Sequence, residues 1–318
     1  MADKLPVKAN FTGADVTSLG EFADGDTVPV ASGGTGAATA AGARANLGAQ
    51  TLNATLTAIS DGTLGAFSHR NKIINGNFAI NQRGYVSAAA TAVGQYTFDR
   101  WKVTATSGIT FSTTANKTTV TIPAGQTIQQ VIEGLNLQSG TYVLSWEGTA
   151  QGRVGAGAYG ASGAVTASIT GGTATTIEFN AGTVTNVQYE PGSVAQSFEH
   201  RHIGTELALC KWYGEKITFV TGLSLATGLC DSATAAIYAF PFTEKRAIPT
   251  ITFATAASDF TARVKGGSVV AGTEITAANL HATGAIIVLT VASGLIAGEA
   301  TTLRAASASA SIFIDAEL

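Results

Sequence analysis

The chain has 318 residues, a net charge of −3, 45% hydrophobic side chains and only 12% charged ones, about half the charged share of an average soluble domain. So few charges cannot cover a monomer, which leaves two ways to make up the surface: subunit contacts, or exposed Thr, Ser, Asn and Gln. The near-neutral balance excludes a surface built to track phosphates, so nucleic acid is not an expected partner.

No basic stretch followed by an apolar run opens the chain, so no secretory leader is expected. Residues 1–30 are short, mixed and punctuated, with Asn10-Phe11-Thr12-Gly13, Asp24-Gly25-Asp26 and Pro29. No period of 2 or 3.6 persists there, and the segment is read as a docking leader. Gly33-Gly34-Thr35-Gly36 is a turn in which glycines supply positive φ. Ala37 to Gly48 follows as a short helix, with Thr39 at its N-cap and Gly48 just past its end. So short a helix cannot hold in water alone, because nucleation costs more than its few bonds return. Its Ala and Gly side chains suit close approach of backbones, so residues 31–70 are expected to bundle copies of the chain around an axis. Residues 51–69 serve as the connector.

From Asn71 the pattern turns to strands. Lys72 to Phe78 reads as strand then turn, followed by strands at Phe98–Val103, Thr118–Ile122, Thr127–Val131, Thr141–Glu147, Thr175–Phe179 and Val184–Glu190. In the fourth of these after the opening one, Tyr142, Leu144 and Trp146 alternate with Val143, Ser145 and Glu147, which marks one apolar face. Turns at Pro123-Ala124-Gly125, Ser139-Gly140 and Pro191-Gly192 separate the runs, and this spacing predicts a β-sandwich over 71–203. A helix is predicted at Thr205–Tyr213, with Glu206 in its first turn and Gly214 beyond its end. Residues 204–216 thus link the sandwich to a second β region over 217–318. Strands are predicted there at Tyr238–Phe242, Ile251–Thr255, Ser268–Ala271, Ala285–Val291 and Ala310–Ile314. The apolar stretch Thr283 to Gly298 is broken by Ser293-Gly294 and reads as a buried strand entering a turn rather than a membrane span. Cys210 and Cys230 are too few to make a disulfide framework and are read as reduced core thiols.

Three places coincide with one family. The segment Gly33 to Gly48 resembles one recurrent in bacteriophage tail fibres. Asn75-Gly76-Asn77-Phe78-Ala79-Ile80-Asn81-Gln82-Arg83-Gly84, with Phe98-Asp99-Arg100-Trp101, resembles the start of a jelly-roll module of phage fibres related to carbohydrate-binding modules. Gln188-Tyr189-Glu190-Pro191-Gly192-Ser193, Phe198-Glu199-His200-Arg201 and Glu206 to Tyr213 resemble its end and the helix after it. The resemblance implies a mainly β, elongated homotrimer with an N-terminal docking leader, a short trimerisation helix, a jelly-roll β-sandwich and a C-terminal β-rich tip domain. It implies a tail-fibre or receptor-binding protein of the virion tail, assembled in the host cytoplasm. Residues 1–30 would meet tail or baseplate proteins, and the far end a bacterial surface glycan or outer-membrane protein. The alternatives are a purely structural fibre or collar component, or a capsule depolymerase.

A glycan site needs rings for sugars to stack on, bordered by amides and carboxylates. Trp101, Trp146 and Trp212 are the obvious rings, but each reads as core before ligand platform. The tip offers Tyr238, with Phe240 and Phe242 alternating on the same face, and the polar residues Asp259, Arg263, Lys265 and Glu274 in loop-like sequence. His200 and His202 would share a face of a strand, and around a threefold axis six imidazoles could hold a metal. The plainer reading is a domain junction, so no metal or cofactor is expected. A glycosidase needs two carboxylates about 5–10 Å apart. Asp99, Glu133, Glu147, Glu178 and Glu190 are scattered and announce no pair, so no enzyme activity is expected. Gly152 to Gly163 lacks the Lys-Ser/Thr and the βαβ setting of a phosphate loop and reads as a hairpin turn.

Overall fold

Short runs of β-branched and aromatic residues, cut by glycine turns, build a mainly β chain. The structure, a computed structural model, describes residues 7–21, 35–37, 39–47, 69–114, 117–253 and 255–318. The chain divides into two units, residues 1–64 and 65–318.

In the first unit β1 (Val7–Thr12) and β2 (Asp15–Glu21) pair antiparallel, turning through Gly13 at φ +66°. The leader shows no alternation, yet a hairpin forms, because a backbone ladder and one permissive turn residue suffice. Helix α1 spans Ala40–Asn46. Thr39 caps it as expected, its hydroxyl accepting a bond from Gly42 N at 3.1 Å. The predicted Gly48 cap, Gly33 and Gly34 lie outside the described residues, as does most of the connector. No residue of α1 is buried, and the described hairpin side chains are exposed or half-exposed.

The second unit opens without the strand expected at Lys72–Phe78. The turn expected after it does form, with Asn75 and Phe78 at φ +57° and +54°. Nine strands follow: β3 (Lys102–Val103), β4 (Thr110–Thr114), β5 (Lys117–Ile122), β6 (Ile128–Ile132), β7 (Gly140–Glu147), β8 (Gly152–Val154), β9 (Val165–Ile169), β10 (Thr175–Phe179) and β11 (Gly182–Pro191). They form a four-stranded sheet in the order β3-β6-β10-β8 and a five-stranded sheet in the order β4-β5-β11-β7-β9. One aromatic core contains side chains from both sheets, with Phe78, Phe98, Trp101, Trp146, Phe179 and Tyr189 among them. The predicted Phe98–Val103 strand shrinks to β3 because Arg100 adopts φ +72°. Trp101 and Trp146 are core, as read, and their indole N–H groups donate to Asn75 O and Ala150 O.

Helix α2 (Ile203–Lys211) starts two residues before its predicted position, because His202 Nδ1 caps it by accepting from Gly204 N at 3.2 Å. Beyond it come β12 (Gly214–Thr218), β13 (Ser224–Cys230), β14 (Ala235–Pro241), β15 (Thr250–Phe253), β16 (Phe260–Arg263), β17 (Val269–His281), β18 (Gly284–Val291), β19 (Ala300–Ala305) and β20 (Ser311–Asp315). Six of these close into a barrel, in the order β13-β14-β18-β17-β16-β19, and β12-β20-β15 form a separate sheet. Alternate residues fill the interior, among them Tyr238, Phe240, Phe260, Ile287, Leu289 and Leu303. The stretch Thr283 to Gly298 is β18 and its turn, and no helix among the described residues is long and apolar enough to cross a membrane.

The motif residues of the sandwich meet the end of the chain at one buried seam. Asn75 is fully buried, donating from Nδ2 to Ile80 O and Asp99 O while its own N–H donates to Glu206 Oε1. Gly76 is obligatory, since a Cβ there would stand 2.2 Å from Val187 O. The Arg100 guanidinium lies 3.5 Å from the Tyr213 ring centroid, pairs with Glu317 and donates to Val131 O. Beside it, Arg83 bridges Asp315 at 3.0 Å and covers the Phe313 ring at 4.2 Å. Arg100 is 1% exposed and the Glu317 side chain 4%. Removing one partner of such a pair leaves an uncompensated buried charge, at a cost of about 3–5 kcal/mol. Arg100→Met is therefore expected to lower the free energy of unfolding by about that amount in denaturant titrations. Lys117→Met, at an ion pair whose side chains are 47% and 55% exposed, should cost less than about 1 kcal/mol.

Candidate functional site

A groove of about 920 Å³ lies on the sandwich. Three pieces of chain form it: the motif turn Asn77 to Asn81, the hairpin of β4 and β5, and the stretch His200 to Ile203. The left-handed turn at Phe78 sets the first wall, and Thr113 faces Thr118 across the hairpin with hydroxyls 3.0 Å apart. Three rings lie beneath the groove, Phe78 and Phe98 buried in the sandwich core and Phe111 half-buried against them. Phe98 and Phe111 meet edge to face at 5.0 Å, and Phe78 stands edge to face with Phe98 at 5.6 Å. The rim is polar, with Asn77, Asn81, Thr113 and an exposed His200 that stands edge-on to Phe198 at 4.8 Å. An apolar floor under a ring of amide, hydroxyl and imidazole groups fits the two surfaces of a pyranose: C–H faces below, hydroxyls outward.

The residues singled out at the tip do not converge as a set. Tyr238 is fully buried inside the barrel, where its hydroxyl lies 3.2 Å from Thr301 Oγ1. Asp259 is half-buried in a single helical turn before β16, and its carbonyl accepts from Ala306 N at 2.7 Å. Glu274 is exposed on β17 beside a bulge. Arg263 and Lys265 do come together, lining one groove of about 440 Å³ between β13, β19 and the turn after β16. Sequence reasoning missed the sandwich groove because its first wall lies in the motif that resembles a structural signature. Its second wall, with Phe111 and Thr113, lies on β4, a strand the sequence did not predict.

The ionisable groups are mostly engaged with one another. Glu133 pairs with Arg246, Glu147 with Lys117, Glu178 with Arg153 and Glu190 with Arg70, and none of these carboxylates lines either groove. His202 spends Nδ1 on the cap of α2. Among the described residues no group of three or more His, Cys, Asp and Glu is placed to hold a metal ion. Cys210 and Cys230 are free and buried, and burial pushes the Cys210 thiol well up, away from the thiolate a nucleophile needs. Among the described residues Asp99 is the one carboxyl with a large upward shift: burial raises it from 3.8 to about 6, against the Gln82 side-chain bond and the Arg83 charge that pull it down. A shifted acid invites a catalytic reading. Its oxygens instead accept from Gln82, whose Nε2 also reaches Gly214 O, so Asp99 serves the seam.

No protein-family model matches the chain, and no curated protein matches it significantly.

The position of Asp99 sets a pH dependence. Its folded pKa of about 6 lies above the 3.8 of an unfolded carboxyl, so the fold prefers the protonated form. The stability it contributes is complete below pH 3.8 and is lost as pH rises through about 6. Asp99→Asn should remove this slope and raise stability at pH 7 by roughly 1–3 kcal/mol, read from denaturant midpoints at pH 4 and pH 7. A wild-type slope retained in the variant would locate the titration elsewhere.

Proposed function

We propose that this chain is a bacteriophage tail-fibre protein that attaches the virion to a bacterial surface receptor, a polysaccharide, as a homotrimer. The observation that carries this reading is the sandwich groove, where the half-buried Phe111 ring lies among amide, hydroxyl and imidazole groups beside the residues that resemble the phage jelly-roll module. The first unit supports the assembly half. A two-stranded hairpin is marginal alone, a seven-residue helix more so, and none of their described side chains is buried. Both gain a core when copies of the chain, or a tail protein docked on residues 1–30, cover them. Three weak sites on one shaft then bind a surface far better than one.

Two measurements test the proposal. Light scattering of the full chain, at 32.1 kDa per copy, should give a mass about threefold higher; a monomer mass would remove the trimer. Fluorescent protein should label host bacteria and spare strains lacking the surface polysaccharide. Thr113→Trp, at an exposed position on the groove wall, should fill the site and weaken labelling by about tenfold or more while the unfolding midpoint stays put. Equal labelling by wild type and variant would dismiss the groove, and equal labelling of both strains would dismiss the receptor.

A further inference from the structure

We propose that the groove on the outer wall of the barrel is a second binding site, selective for a sugar that carries an anionic group. Register places its key side chains together. Thr302 of β19 pairs with Thr227 of β13 on one side and with Arg263 of β16 on the other. Directly paired residues share a face, so Thr227, Thr302 and Arg263 form one row across three strands. Their neighbours Ala226, Leu303 and Ala262 form the next row and pack in the barrel core. The row therefore points outward, into the groove that Ser224, Lys265 and Gly267 also line.

The charges in this groove have one sign. Arg263 is exposed and Lys265 is 84% exposed, with only a loose contact to Glu299 at 3.9 Å. No acidic residue lines the groove among the described residues, on a chain whose net charge is −3. The neighbouring Arg304 is already committed, since its Nε donates to Gly222 O at 2.9 Å. Arg263 is not: no carboxylate pairs with it among the described residues, and its planar fork suits an oxyanion. A bulge in β13 between Ser224 and Ala226 re-aims the strand here. Gly266 at φ +83° folds the turn back so that Lys265 reaches the same space. Two cations with hydroxyls around them and no ring to stack on fit a uronate or a phosphorylated sugar, and exclude a neutral one. The site stands apart from the sandwich groove, so either can fail alone.

Calorimetric titration of the full-length protein tests it with three probes: a glucuronate-containing tetrasaccharide, the same tetrasaccharide after carboxyl reduction, and glucose 6-phosphate. Binding of the glucuronate or the phosphate probe is expected, and the stronger of the two identifies the anion. Carboxyl reduction and Arg263→Gln should each weaken binding about tenfold, as should high salt. Lys265→Glu, at a position too exposed to disturb folding, should weaken it as much while Thr113→Trp leaves it unchanged. Binding of the reduced probe as tight as the glucuronate, or unaltered binding by both charge variants, would overturn the proposal, as would no binding of either anionic probe.

Discussion

The junction in the second unit depends on the buried cation Arg100. Arg100 holds a left-handed backbone conformation, lies flat on Tyr213, and neutralises Glu317 from the last turn of the chain. A guanidinium this deep survives only if its charge and most of its donors are met, because desolvation alone costs several kcal/mol. The sandwich motif, α2 and the residues after β20 must therefore be in place together. The same requirement accounts for the strain nearby, since Asn75, Phe78 and Arg100 all occupy positive φ, at about 1–3 kcal/mol each. Their surroundings over-determine them: Asn75 alone engages Ile80, Asp99, Trp101 and Glu206. Residues that resemble a phage-fibre signature are thus the wiring of the junction, and the sugar-compatible surface lies on their outer side.

How much of this was legible in the sequence depends on the residues that build each part. The strand at Thr175–Phe179 and the run ending at Val291 were found because their apolar residues are long enough to mark burial. The apolar face read on β7 holds, with Tyr142, Leu144 and Trp146 buried in the core, and Val143 on its other side is buried as well, at 0% exposure. The barrel was not foreseen as a barrel. Strands β13, β16 and β19 were absent from the sequence reading, since their inward residues include Ala226, Ala262, Ala305 and Thr301. Alanine and threonine bury as easily as they expose, so no alternation showed. Closure also depends on register between strands far apart in sequence, such as β13 with β19, which no local pattern carries.

The site shows the same limits. Composition located polar residues in loops but could not tell which loops meet. Tyr238 was attractive as a ring and proved to be the ring the barrel encloses, whereas Arg263 and Lys265 were chosen for exposure and charge and landed on a common groove. The histidines at 200 and 202 looked equivalent two apart. One caps α2 and the other stands over an aromatic edge, because a helix begins between the two environments. The two grooves divide the chemistry. The sandwich groove is lined by half-buried Phe111 with amide and hydroxyl groups, and the barrel groove by Arg263 and Lys265.

The account turns on recognition of surface polysaccharide by the full chain, and a printed array of purified bacterial surface polysaccharides reads that directly. Retention on a few discrete polysaccharides, suppressed when the groove wall is filled at Thr113, is the predicted result. Absence of binding across the array, or uniform binding to all its members, would contradict it.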